Sequence, residues 1–185
     1  PLITKVLIAG GNDANTLLSS AEVYDPVAGT FTATLGPMLT ARRGHTATRL
    51  SNGKVLIVGG ETDSNNPLAS AEFYDPATNT FQSTGSMATP RRHHTATLLA
   101  NGRVLIAGGL STSAEADTLA TTETYDPVSG FFSRSGSMGL DPNGLHLPRA
   151  YHGATLLPGP NKVLFTGGFV DGVNVTNTAH LFTPQ

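Results

Sequence analysis

An all-β fold made of repeated four-stranded antiparallel units is what this 185-residue sequence predicts, on three observations. Charged residues make up only 13% of the chain while Thr, Ser, Gly and Asn abound, which suits short strands and many turns. A glycine pair closing an apolar run begins at positions 10, 59, 108 and 167, in steps of 49, 49 and 59. No long window carries apolar residues at helical spacing. Periods of about 40–50 residues belong to propeller-type arrays.

Each copy reads as four strands. The first is "HTATLL" or its equivalent, closed by "NG" at 52–53 and 101–102, a tight-hairpin signal. The second is a continuous apolar run, Val55 to Val58 or Val104 to Ala107, whose lack of alternation predicts burial on both faces. It runs into the glycine pairs Gly10 and Gly11, Gly59 and Gly60, Gly108 and Gly109, Gly167 and Gly168. The third ends at Tyr-Asp-Pro, with Tyr24, Tyr74 and Tyr125 followed by Asp25, Asp75 and Asp126. These aspartates can bond the next turn, and the prolines stop ladder pairing. The fourth carries Phe31, Phe81 or Phe132 and leads to Gly-Pro-Met or Gly-Ser-Met.

This order (Arg-x-x-His, strand, Gly-Gly, Tyr-Asp-Pro, aromatic) strongly resembles the kelch repeat and covers essentially the whole chain. The resemblance implies a kelch-type β-propeller of four-stranded blades, its strands named A to D from the channel outward. Repeats fall at about 1–38, 39–87, 88–138 and 139–185, within a single unit over 1–185. The sequence departs from the family by phenylalanine for the usual tryptophan. In the last copy His180, Phe182 and Thr183 replace Glu, Tyr and Asp. The first copy lacks strand A and the last lacks strand D. Because propellers hold about four to eight blades, the expectation is a piece of a longer chain or a ring completed by a second copy, with a four-bladed monomer as the alternative.

Alternation within a blade puts the short A–B and C–D turns on one face and the B–C and D–A loops on the other. The B–C loops differ in length and carry Asp13, Glu61, Asp63, Glu115, Asp117 and Asp171. The longest D–A loop spans 139–148 and holds His146. Variable loops on a rigid scaffold are where binding usually resides.

Overlaying the copies divides the cationic stretch before strand A. Arg42, Arg91 and Arg149 recur in register, as do His45, His94 and His152, and predict a scaffold role through hydrogen bonds to neighbouring backbone. Arg43, Arg92, His93 and Tyr151 occupy slots that vary. In kelch proteins arginines near this position contact acidic partner groups, so the resemblance makes Arg43 and Arg92 candidate contacts; His93 and Tyr151 could add hydrogen bonds or stacking. With Glu61, Asp63, His146 and Asp171 they form the candidate binding set.

The reading is of a non-catalytic module that recognises a protein or glycan. Its alternative is a propeller domain of a carbohydrate-active enzyme resembling galactose oxidase or a sugar epimerase. The chain has no cysteine, so the Tyr–Cys crosslink of the former cannot be built from it. No cofactor and no metal are expected, since the recurring histidines sit on separate blades. A net charge of -2 gives no general attraction to nucleic acid, and no run approaches a membrane span of roughly 18–20 residues. Low charge and the Asn-Val-Thr tripeptide at 174–176 suit an extracellular or cell-surface setting.

Overall fold

The computed structural model describes residues 5–14, 16–114, 117–139, 146–159, 161–171 and 174–183. Among them are fourteen strands and no helix, hence none long and apolar enough to cross a membrane. Blade I is the meander β1 (Val6–Ala9), β2 (Ala21–Asp25) and β3 (Thr30–Ala33). Blade II comprises β4 (Thr46–Arg49), β5 (Val55–Val58), β6 (Ala71–Asp75) and β7 (Thr80–Ser83). Blade III comprises β8 (Thr95–Leu98), β9 (Val104–Ala107), β10 (Thr121–Asp126) and β11 (Phe131–Ser137). Blade IV is β12 (Gly153–Leu156), β13 (Val163–Thr166) and β14 (Ala179–Phe182). All neighbours pair antiparallel, and the inner strands β4, β8 and β12 stand side by side. The ring is not closed.

The core is divided among the three joints between blades. Strand period two sends Ile57 toward blade I, where it packs with Ala21, Met38, Tyr74 and Phe81. Its neighbours Leu56 and Val58 face blade III and meet Val104, Ile106 and Tyr125. In the same way Leu105 and Ala107 face Val163 and Phe165 of blade IV. This two-sided burial is why the second strand of each copy reads as an unbroken apolar run. Leu56 is fully buried, and truncating such a residue to alanine typically costs about 2–5 kcal/mol.

The turns follow from local chemistry. Asp25 Oδ1 accepts from the Val27 and Ala28 amides, and Asp75 and Asp126 do the same in their turns. Their second oxygen meets a cation at the start of the same blade's B strand: Lys5 at 3.3 Å, Lys54 at 3.0 Å, Arg103 at 3.1 Å. These turn amides and cations hold all three carboxyls below the usual aspartate range. Cross-strand Tyr–Phe pairs (Tyr24–Phe31, Tyr74–Phe81, Tyr125–Phe132) stack at 4.7–5.2 Å between ring centres.

Candidate functional site

The recurring arginines are fully buried and turn back into their own blade. Arg91 donates to the Gly108 and Thr121 carbonyls at 2.8 and 3.1 Å, and to Glu123 Oε1 at 3.0 Å. Arg42 repeats this with Gly59, Ser70 and Glu72. The glutamates are buried too and also accept from the D–A segment: Leu39 on Glu72, Ala88 and Thr89 on Glu123. Blades II and III thus each hold a closed ionic latch that ties strand A, strand C and the incoming chain together. In blade IV His180 stands at the glutamate position, and among the described residues Arg149 bonds only the Gly167 carbonyl and Thr178.

The glycine pairs make room for these arginines. Gly59 and Gly60 have φ of +63° and +89°, a region that side chains rarely adopt. A Cβ on Gly59 would overlap the Arg91 carbonyl of the next blade, and one on Gly60 would meet the Arg43 carbonyl of its own. The Gly60 amide donates to that same Arg91 carbonyl at 3.0 Å, a bond between blades that recurs from Gly11 to Arg42 and from Gly109 to Arg149.

The recurring histidines also join blades, His45 through the Ala9 backbone of blade I as expected and the other two through side-chain hydroxyls. His94 Nε2 lies 2.9 Å from the Thr46 hydroxyl of blade II, and His152 Nε2 2.9 Å from Thr95 of blade III. Burial first, and the arginine charge behind it second, push His45 and His152 down to about 4 and His94 well below its ordinary value. All three are therefore neutral near pH 7. Among the described residues no group of three His, Cys, Asp or Glu is placed to hold a metal ion.

The varying slots form a mouth at the loop-face end of the inner strands. Gly44, His93 and Tyr151 are equivalent and all have positive φ, 62°, 52° and 55°. A belt of backbone bonds links them, from the His93 amide to the Gly44 carbonyl and from the Tyr151 amide to the His93 carbonyl, each 3.0 Å. The His93 ring lies over Gly44, Tyr151 stacks on His93 at 4.2 Å, and Phe169 meets Tyr151 edge-on at 5.7 Å. Tyr151 remains 48% exposed. Non-glycine residues in this conformation store strain of about 1–3 kcal/mol, and such strain clusters at functional sites.

Arg43 and Arg92 have different surroundings. Arg43 bonds Glu61 Oε1 at 2.8 Å and Asn65 at 2.6 Å, and its side chain stays about a third exposed. Arg92 is buried, pairs across the blade joint with Glu61 Oε2 at 3.0 Å, and donates to the Thr112 and Ser113 carbonyls. Glu61, itself buried, therefore bridges two arginines of adjacent blades. Asp63, His146 and Asp171 are exposed, and Asp171 accepts from Asn174 in its own turn. Glu115 and positions 140–145 of the long D–A loop lie outside the described residues. The partners Glu72 and Glu123 escaped sequence reasoning; the recurring glutamate three residues before the aspartate of Tyr-Asp-Pro was their signal.

Antiparallel blades joined through their faces define a propeller-type repeat array. The kelch motif matches residues 4–33 and 42–88, so this stretch is built of kelch repeats, and the later sheets keep the same blade pattern. Kelch-type propellers are commonly interaction modules. No curated protein matches the chain.

Proposed function

We propose that this kelch array is a non-catalytic recognition module whose B–C and D–A loop face binds a protein or glycan. The observation that carries the reading is the separation of roles before strand A. Arg42, Arg91 and Arg149 spend their donors on the scaffold, whereas Tyr151 presents half its surface at the mouth from a strained backbone held by a belt of hydrogen bonds. Arg43, Asn65 and Asp63 lie on the same face, offering the mixed hydrogen bonding that suits a peptide carboxylate or a sugar, and Tyr151 offers an aromatic surface. Arg92 and Glu61 set the rim by fixing one blade's loops to the next.

The test is binding of the wild-type chain, and of Arg43→Ala and Tyr151→Ala, to an array of glycans and of acidic peptides. Loss of the wild-type signals in both variants, with unfolding midpoints preserved, supports the reading. Binding untouched by either substitution sinks it.

A further inference from the structure

The three joints between blades are not equally filled on the side of the A–B and C–D turns, opposite the loop face. Between blades I and II a crevice of about 720 Å³ reaches inward to Leu7, Val23, Val55 and Tyr74. Leu7 and Val55 are only half-buried, although their equivalents at the next joint, Leu56 and Val104, are fully buried. The depression at the joint of blades II and III is lined by turn residues such as Asn52 and Asn101 and does not reach the core.

Two side chains account for the difference. Val23, paired with Leu7, stands where blade II has Phe73, paired with Leu56 and covered by Lys54 at 4.1 Å from the ring centre. Arg49, paired with Val55, stands where blades III and IV have Leu98 and Leu156, both packed into their joints. A half-buried leucine position thus carries an exposed guanidinium, and it lines the crevice. Among the described residues Arg49 has no side-chain hydrogen bond or ion pair. The other charges there are matched, since Asp25 is held by Lys5 and by the Val27 and Ala28 amides.

We propose that the crevice between blades I and II binds a small amphipathic carboxylate, its anionic head on Arg49 and its hydrocarbon part on Leu7, Val23 and Val55. The guanidinium fork matches a carboxylate, and the apolar floor takes the hydrocarbon part out of water. Hydroxyls of Thr30 and Thr32 line the outer end. A crevice of this volume lies within the range of small-molecule sites. The proposal concerns the face opposite the mouth and is independent of the function proposed above.

The experiment is titration of the chain with octanoate, followed by calorimetry and by methyl NMR of Leu7, Val23 and Val55, with acetate and octylamine as probes lacking the tail or the charge. Arg49→Leu and Val23→Phe introduce residues of the kind found in the other blades, so both variants keep the fold, which the unfolding midpoint checks. Octanoate should shift the three methyl groups, and Arg49→Leu should weaken its binding about tenfold or more. Val23→Phe should fill the site and remove the shifts. Unshifted methyls, octylamine or acetate binding as well as octanoate, or wild-type affinity in both variants would overturn the proposal.

Discussion

The joint between blades II and III and the outer face of blade IV are made from the same motif, but among the described residues only the joint has a neighbouring sheet. At the joint, Gly59 receives the Arg91 carbonyl and His94 ring, and the latch of blade III closes on Glu123. On blade IV, Gly167 keeps the same φ of +63°, and among the described residues only a carbonyl of its own blade, Thr176, lies within 4 Å of the Cβ position. Arg149 there is as buried as Arg91 but has no carboxylate partner among the described residues. The difference shows that the arginine has two separable attachments. Carbonyls of its own blade are enough to bury it, and the glutamate adds a bond to the incoming D–A segment.

Removing the arginine separates the two cases most strongly. Arg91→Met leaves Glu123 buried without its partner and should cost about 3–5 kcal/mol, whereas Arg149→Met loses hydrogen bonds alone, about 1–3 kcal/mol. Chemical denaturation of both variants checks the ranking. Next comes the glycine. Gly167→Ala should cost about 1–2 kcal/mol for its left-handed backbone, and Gly59→Ala clearly more because the added methyl also strikes the next blade.

Acid should loosen the joints by a smaller amount per group. A histidine held neutral in the fold but titrating near 6.5 when unfolded takes up its proton only in the unfolded chain. Stability is therefore full above about pH 6.5 and falls as pH drops toward about 4, by up to about 1.4 kcal/mol per unit for each such histidine. His94→Gln should flatten that slope in unfolding curves recorded from pH 7 to 4.5. The smallest effect is expected from His180→Glu, which would give Arg149 the carboxylate of the other blades. His180 is only half-buried, so the gain should stay below about 1 kcal/mol.

What the sequence reveals depends on how far apart partners lie along the chain. The glycine pairs, the apolar B strands and the Tyr-Asp-Pro turns are legible because their causes are local, as with Asp25 and the amides two and three residues on. The latch is not, since Arg91 and Glu123 are 32 residues apart and only the blade's topology joins them. Arg92 and Glu61 look like loop residues until adjacent blades bury them against each other. Arg49 reads as an ordinary polar strand residue until the register aligns it with Leu98 and Leu156.

The division between scaffold and mouth is tested most directly by unfolding free energies of two variants at adjacent positions, Tyr151→Gly and His152→Ala. Glycine is the residue blade II carries at the first position, and it relieves the positive φ while losing a ring stack worth about 0.5–1.5 kcal/mol, so the balance should lie within about 1 kcal/mol of wild type. His152→Ala leaves the Thr95 hydroxyl without its partner and opens space beside Phe165, which should cost about 1–3 kcal/mol. A near-neutral Tyr151 variant beside a destabilised His152 variant is the predicted result. Equal losses at the two positions would contradict the account.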